Sequence, residues 1–200
     1  MNPTGHLTRV AQPDDIEAIV ATVTSAFFDD PLWGPAFPDR QNRAAQASAF
    51  WRLLVTSAQR YPWTFVSGNA ESAAIWLPPG GIELTEAEAN GFDGFLAGIV
   101  GREGADAILA IVDKFEHARP TEPHFYLSLF ATHDDHRGKG LGMGLLRENL
   151  ARIDALGGSA YLESSNPANN DRYASVGFAP RDQIVQASGH VITTMWRPAQ

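Results

Sequence analysis

The stretch HFYLSLFATHDDHRGKGLGMGLLRENLARIDALGGSAYLESS, residues 124–165, leaves this chain the least freedom in how it folds. It opens with a run dense in aromatic and aliphatic side chains, which predicts a buried strand. Glycines at 138, 140, 142 and 144 follow directly, and then Leu146, Leu150 and Ile153 recur on one face of a helix that stops at Gly157-Gly158. SAYLESS predicts the next strand. Two strands joined through a helix can lie parallel, which a tight hairpin does not allow, so the segment is read as a βαβ unit.

The flanking sequence fits around that unit. HLTRVAQPDD predicts a short first strand turning at Pro13, with Asp14 or Asp15 capping a helix whose inner face is Ile16, Ile19, Val20, Val23 and Phe27. FFDDPLWGPAFPD breaks that helix into an aromatic, carboxylate-bearing loop, because three prolines and a glycine crowd together. A second helix is expected from about Asp39 to Arg60, ending before Pro62, and residues 63–77 predict a hairpin turning at Gly68-Asn69. Thr85 and Glu88 stand at capping-box spacing, and two helices are expected over about 85–119. Asn166 or Asn169 can cap a short helix ended by Gly177, and a hairpin turning at Ser188-Gly189 closes the chain. At 200 residues and 44% hydrophobic content, one domain spanning 1–200 is expected, an α/β (α+β) fold around a mixed sheet.

Composition narrows the function. A formal net charge of −8 argues against sequence-independent nucleic-acid binding, which needs clustered Lys and Arg. There is no cysteine, so thiolate metal sites and a cysteine acyl-enzyme are excluded. The first ten residues lack the apolar run of a signal peptide, and no membrane-length apolar stretch occurs, so a cytoplasmic location is expected. His133-Asp134-Asp135-His136 holds four possible ligands, but contiguous residues in a tight turn rarely converge on one ion, and no metal site is expected.

A strand, a glycine-rich turn and a helix in succession form an anion site, because first-turn N–H groups lack intrahelical partners and the helix dipole favours negative charge there. A P-loop would need Ser or Thr after the lysine, and Gly140 follows Lys139. The dinucleotide pattern G-x-G-x-x-G is closer, and Glu163 stands where a ribose-binding acid belongs, but its third glycine falls on Met143 or Leu145. The turn does read R-x-x-G-x-G, as Arg137-Gly138-Lys139-Gly140-Leu141-Gly142, and YASVGF at 173–178 reads Y-x-x-x-G-F.

These two elements, with LESS and the asparagines after it, resemble the GNAT superfamily of N-acetyltransferases. Within it the chain looks most like the puromycin N-acetyltransferase subgroup, on DDHRGKGLG, AYLESSNPANNDRYASVGF, TEP and AAIWLPP. The resemblance implies a mixed, mostly antiparallel central sheet with helices on both faces, and acetyl-CoA as cofactor. It implies that the pyrophosphate lies on Arg137, Gly138, Lys139, Gly140, Leu141 and Gly142. Phe130, Ala131 and Thr132 would lend backbone groups to the pantetheine arm. Asn166 or Asn169 could contact the cofactor too, or serve only as caps.

Acyl transfer to an amine needs a proton acceptor for the amine and a proton for the departing thiolate. With no cysteine and no G-x-S-x-G elbow, direct attack in a ternary complex is the simplest route. Tyr173 is the expected general acid, since a phenol holds its proton at neutral pH, and the resemblance places it near the coenzyme A sulfur. Glu163 is a candidate base; so are Asp29 and Asp30, in the loop that by resemblance borders the acceptor site together with Trp33. The acceptor is expected to be a small-molecule amine and the protein a monomer or homodimer, without nucleic-acid or membrane partners. A protein amine as acceptor, and a non-catalytic coenzyme-A-binding module, are the alternatives.

Overall fold

The computed structural model describes residues 8–200. His6 and Leu7, the start of the expected first strand, lie outside the described residues; the rest of it is β1 (Thr8–Val10). The other strands are β2 (Thr64–Ser67), β3 (Ser72–Leu77), β4 (Phe125–Thr132), β5 (Ala160–Ser164), β6 (Ala179–Val185) and β7 (Val191–Arg197). They form one sheet in the order β1-β2-β3-β4-β5-β7-β6, with every pairing antiparallel except β4 with β5. The expected mixed, mostly antiparallel sheet is therefore present, with both expected hairpins in it.

Helices cover both faces. On one lie α1 (Ile16–Phe27), the single turn α2 (Trp33–Ala36), α3 (Arg43–Ala58) and α4 (Glu86–Ala118), packing Val23, Trp51, Leu96 and Ile108 against the sheet. On the other lies α5 (Leu141–Ala155), whose Leu145, Leu146, Leu150 and Ile153 meet Phe65, Trp76 and Leu127. The strand alternation serves both cores at once: Tyr161 faces the first and Leu162 the second. Buried Asn149 accepts a hydrogen bond from Trp76 Nε1 at 2.9 Å, which satisfies the indole N–H inside the second core. Among the described residues no helix is long and apolar enough to cross a membrane.

Some boundaries differ from the sequence reading for local reasons. Asp15 does not cap α1; its carboxylate takes the Gln12 N–H at 2.7 Å and pairs with Arg9. The second helix begins at Arg43 rather than Asp39, because Asp39 accepts the N–H groups of Gln41 and Asn42 and holds the chain in a turn. The proline-rich loop contains the one helical turn α2, started by Asp30, which accepts from the N–H groups of Leu32 and Trp33 at 2.9 and 3.1 Å. In the long helical stretch the capping box closes as read, with Glu88 N–H donating to Thr85 Oγ1 and Thr85 N–H to Glu88 Oε2. Gly101, at φ 74° and ψ 174°, then breaks α4, giving the two expected helical segments.

An ion pair between a buried arginine and a half-buried aspartate ties the site-bearing end of the chain to this frame. Arg197 on β7 donates to both carboxylate oxygens of Asp154 on α5, at 2.5 and 2.8 Å, and to the Val176 carbonyl at 2.9 Å. Arg197→Ala is expected to lower stability by roughly 2–3 kcal/mol, because Asp154 and the Val176 carbonyl lose their partner. A urea unfolding midpoint indistinguishable from wild type would contradict this.

Candidate active site

The parallel pairing of β4 and β5 lasts for two residue pairs, Phe125 with Ala160 and Tyr126 with Tyr161. Beyond them β4 runs on to Thr132 and β5 to Ser164 without pairing, so the strands part like a wedge. β4 also bulges: Leu127 faces Trp76 and Leu129 faces Ile75, leaving Ser128 outside the β3 ladder. A cavity of about 580 Å³ occupies the wedge, with β4 from Leu127 to Thr132 along one side. A strand edge released from its ladder offers backbone donors and acceptors to an extended ligand.

The glycine turn closes one end of this cavity. Gly140, at φ 77°, is the residue before α5, and a Cβ there or at Gly138 would point into space with no protein atom within 4 Å. Gly142 is tight instead: a Cβ would stand 2.6 Å from Thr132 Oγ1 and 3.3 Å from the Phe130 ring, so glycine lets α5 sit directly on β4. The first helical N–H to find a backbone partner here is that of Gly144, bonded to the Gly140 carbonyl at 2.9 Å. Those of Leu141, Gly142 and Met143 are left for an anion. Arg137 stands at the rim, paired with Asp134 at 2.8 Å and donating to the Ala26 carbonyl at 3.0 Å. Gly138, Gly140, Leu141 and Gly142 line the cavity, but Lys139 does not; its Nζ donates to the Asp135 carbonyl at 2.9 Å. Open space, free helical N–H groups and an adjacent unpaired strand edge fit a pyrophosphate bearing an extended arm. His133 to His136 fold into a turn in front of the cradle, where His133 accepts from Asp135 N–H at 3.3 Å.

Tyr173 enters the cavity from α6 (Asn170–Ala174), on the side of the second core. Its ring lies 6.3 Å from that of Phe130 and 6.2 Å from that of Phe178, whose N–H donates to the Tyr173 carbonyl at 3.2 Å. Burial raises its phenol pKa above the ordinary 10.0, and the nearby Asp30 carboxylate adds to the rise. Asn166 accepts from Ala168 N–H at 3.0 Å and so caps the turn ahead of α6, while Asn169 accepts from Arg172 at 3.2 Å. Both asparagines also line the cavity.

Glu163 lines the same cavity from β5 but faces the first core, beside Tyr161 and Tyr126. Its Oε1 is buried with no hydrogen-bond partner among the described residues. Burial lifts its pKa from the ordinary 4.5 to about 7, against the pull of the Arg119 guanidinium. Acid and base candidates therefore stand on opposite faces of the parted strands.

The loop after α1 supplies the remaining expected residues, all in the cavity wall. Asp29 is exposed and paired with Arg40 at 3.2 Å and Arg43 at 3.6 Å. Asp30 is buried and already committed, starting α2 with one oxygen and accepting Ser165 Oγ at 2.9 Å with the other. Trp33 is buried against Phe50, Trp51 and Phe115. Sequence reading missed a polar cluster beside Glu163. In it Ser128 donates to Glu83 Oε1 at 2.5 Å, Arg119 donates to Glu83 Oε2 at 3.2 Å, and the Arg119 guanidinium covers the Tyr126 ring at 4.0 Å. The signal was faint: Glu83 and Arg119 flank the long helical stretch on either side.

Residues 110–197 match the family model described as acetyltransferase (GNAT) domain. A *Corynebacterium glutamicum* structure described as histone acetyltransferase HPA2 and related acetyltransferase is similar over 100% of this chain and 98% of its own, with 25% identity and a TM-score of 0.73. The *Drosophila melanogaster* polyamine N-acetyltransferase, which forms N-acetylagmatine, is similar over 96% and 99%, at 15% identity and TM-score 0.65. Arylalkylamine N-acetyltransferase 2 of *Aedes aegypti* is similar over 97% and 99%, at 10% identity and TM-score 0.64. The chain has the GNAT fold, which these structures share, and the family match over residues 110–197 with the 25% identical acetyltransferase supports an N-acetyltransferase.

The raised pKa of Glu163 makes a prediction about stability. A carboxyl whose folded pKa exceeds its unfolded one binds its proton more tightly when folded, so charging it opposes folding. That penalty is absent below about pH 4.5 and complete above about pH 7. Glu163→Gln should therefore melt higher than wild type at pH 8.5, with the difference shrinking towards pH 5. A difference independent of pH would overturn the assignment.

Proposed function

We propose that this protein transfers an acetyl group from acetyl-CoA to the primary amine of a small molecule, by direct attack within a ternary complex. The reading is carried by one observation: the glycine cradle, the unpaired edge of β4, Tyr173 and Glu163 all open into the same cavity. The turn from Arg137 to Gly142, without the Lys139 side chain, would hold the pyrophosphate, and β4 from Phe130 to Thr132 the pantetheine arm. Acetyl-CoA, when bound, supplies an acetyl group activated as a thioester.

The chain's own residues then have separable tasks. The bulge at Ser128 turns backbone groups of β4 out of the β3 ladder, where an N–H can polarise a carbonyl. Glu163 takes a proton from the amine at Oε1, which has no hydrogen-bond partner among the described residues, although the Tyr126 and Tyr161 phenols stand beside the carboxyl, and its pKa is about 7. Tyr173 retains its proton at Oη, on the opposite face, for the leaving group. With Asp30 bonded to the loop and to Ser165, and Asp29 paired outside, neither competes with Glu163 as base. Asp29, Asp30 and Trp33 instead shape the acceptor entrance. The subgroup resemblance to puromycin N-acetyltransferase agrees with a small amine as acceptor.

Coenzyme A release measured over a panel of primary amines tests the reading. Tyr173→Phe should lower kcat by about 100-fold or more while leaving the KM for acetyl-CoA near wild type. Cofactor binding without turnover on any amine, together with an unaffected Tyr173→Phe variant, would establish the non-catalytic module instead. For wild type, kcat/KM should climb through a limb near pH 7 as Glu163 deprotonates, and Glu163→Gln should lose that limb along with most of its activity.

A further inference from the structure

A second cavity, of about 320 Å³, lies behind the first on the α3 and α4 side of the sheet. The two share Trp33, Phe115, Ser128 and Leu129 in their walls, so they adjoin at the bulge of β4, beside Glu163. We infer that this second cavity receives the carbon skeleton of the acceptor, and that the substrate is a primary monoamine bearing an aryl or branched hydrocarbon group rather than a diamine or polyamine. The inference rests on the acetyltransferase reading above and adds the substrate class to it.

Wall chemistry is the first support. Phe50, Trp51, Leu54, Phe92 and Val112 surround the space together with the edge-on pair Trp33 and Phe115, whose ring centroids are 6.2 Å apart at 90°. Aromatic walls of this kind favour a ring in edge or offset contact. The volume is at the lower end of the ~300–1,000 Å³ usual for small-molecule sites, which suits one ring system and not a folded peptide.

Charge is the second support. Three charged residues line the cavity: Glu83, Arg119 and Glu116. Glu83 has both oxygens engaged, by Ser128 and by Arg119, so that pair is internally neutral. Glu116 is exposed to solvent. A distal ammonium entering here would leave water and find Glu83 already paired, with Glu116, on the exposed surface of α4, as the unpaired carboxylate of the wall; a hydrocarbon group incurs no such desolvation cost.

The test compares coenzyme A release with phenethylamine, isoamylamine, ethylamine, putrescine and spermidine, for wild type and for Val112→Trp, which fills the cavity. Wild type should prefer phenethylamine or isoamylamine over ethylamine and putrescine by about tenfold or more in kcat/KM. In Val112→Trp the ratio of kcat/KM for phenethylamine to that for ethylamine should fall by about tenfold. Preference for putrescine or spermidine, or an unchanged ratio in the variant, overturns the inference. Should Val112→Trp not fold, Leu54→Phe narrows the same cavity and is read in the same way. Turnover of no amine would sink the acetyltransferase reading itself. The cavity is then read by melting temperature with phenethylamine and coenzyme A present: a rise in wild type that Val112→Trp loses supports it, and no rise overturns it.

Discussion

The site depends on a pairing that stops. Among the described residues β4 and β5 form the one parallel contact of the sheet, and it ends after Tyr126 and Tyr161. Had the ladder continued, the backbone of β4 up to Thr132 would be satisfied within the protein and the space would be closed. Two local features hold the strands apart. Ser128 bulges out of the β3 ladder and bends β4, and α5 is packed on β4 through Gly142, where even a methyl group would strike Thr132. The wedge thereby receives the N-terminus of a helix at one end and side chains from both cores along its length.

The wall formed around Glu83 and Arg119 depends on a different constraint. A continuous helix from Glu86 to Ala118 would be close to 50 Å long at 1.5 Å per residue, and the residues flanking it could not meet. Glu83 and Arg119 do meet, at 3.2 Å, so the stretch must fold back on itself, and it does so at Gly101. The pair fixes the position of Ser128 through its hydrogen bond to Glu83, and it places Arg119 over Tyr126, next to Glu163. A glycine break in the middle of a helix thus reaches the electrostatics of Glu163.

What the sequence disclosed follows the range over which its signals act. The order of strands and helices, the capping box at Thr85 and the turn from Arg137 to Gly142 are patterns of neighbouring residues, and the structure contains them. Tyr173 and Glu163 could be singled out because each stands near a recognisable turn or strand end. The cluster of Glu83, Arg119, Tyr126 and Ser128 could not, since its members come from four separate places in the chain and meet only after folding. Lys139 illustrates the opposite case. It stands inside the motif, yet its side chain bends back to the Asp135 carbonyl and leaves the cradle to backbone N–H groups.

Burial acts in the same direction on the two titrating groups and has opposite consequences for them. It raises Glu163 to about 7, which makes its carboxylate a stronger base near neutral pH. It also raises Tyr173, which makes the phenol a weaker acid, so the proton stays on Oη until a strong base develops beside it. In the proposed reaction that base is the thiolate released as the carbon–sulfur bond breaks; in water it is a weaker base than a phenolate, and burial in the same site raises its proton affinity as well, so that it can compete for the proton. In that proposed reaction the same burial that prepares Glu163 to receive a proton early delays Tyr173 from giving one up. The two faces of the sheet keep these events apart in space, as burial keeps them apart in order.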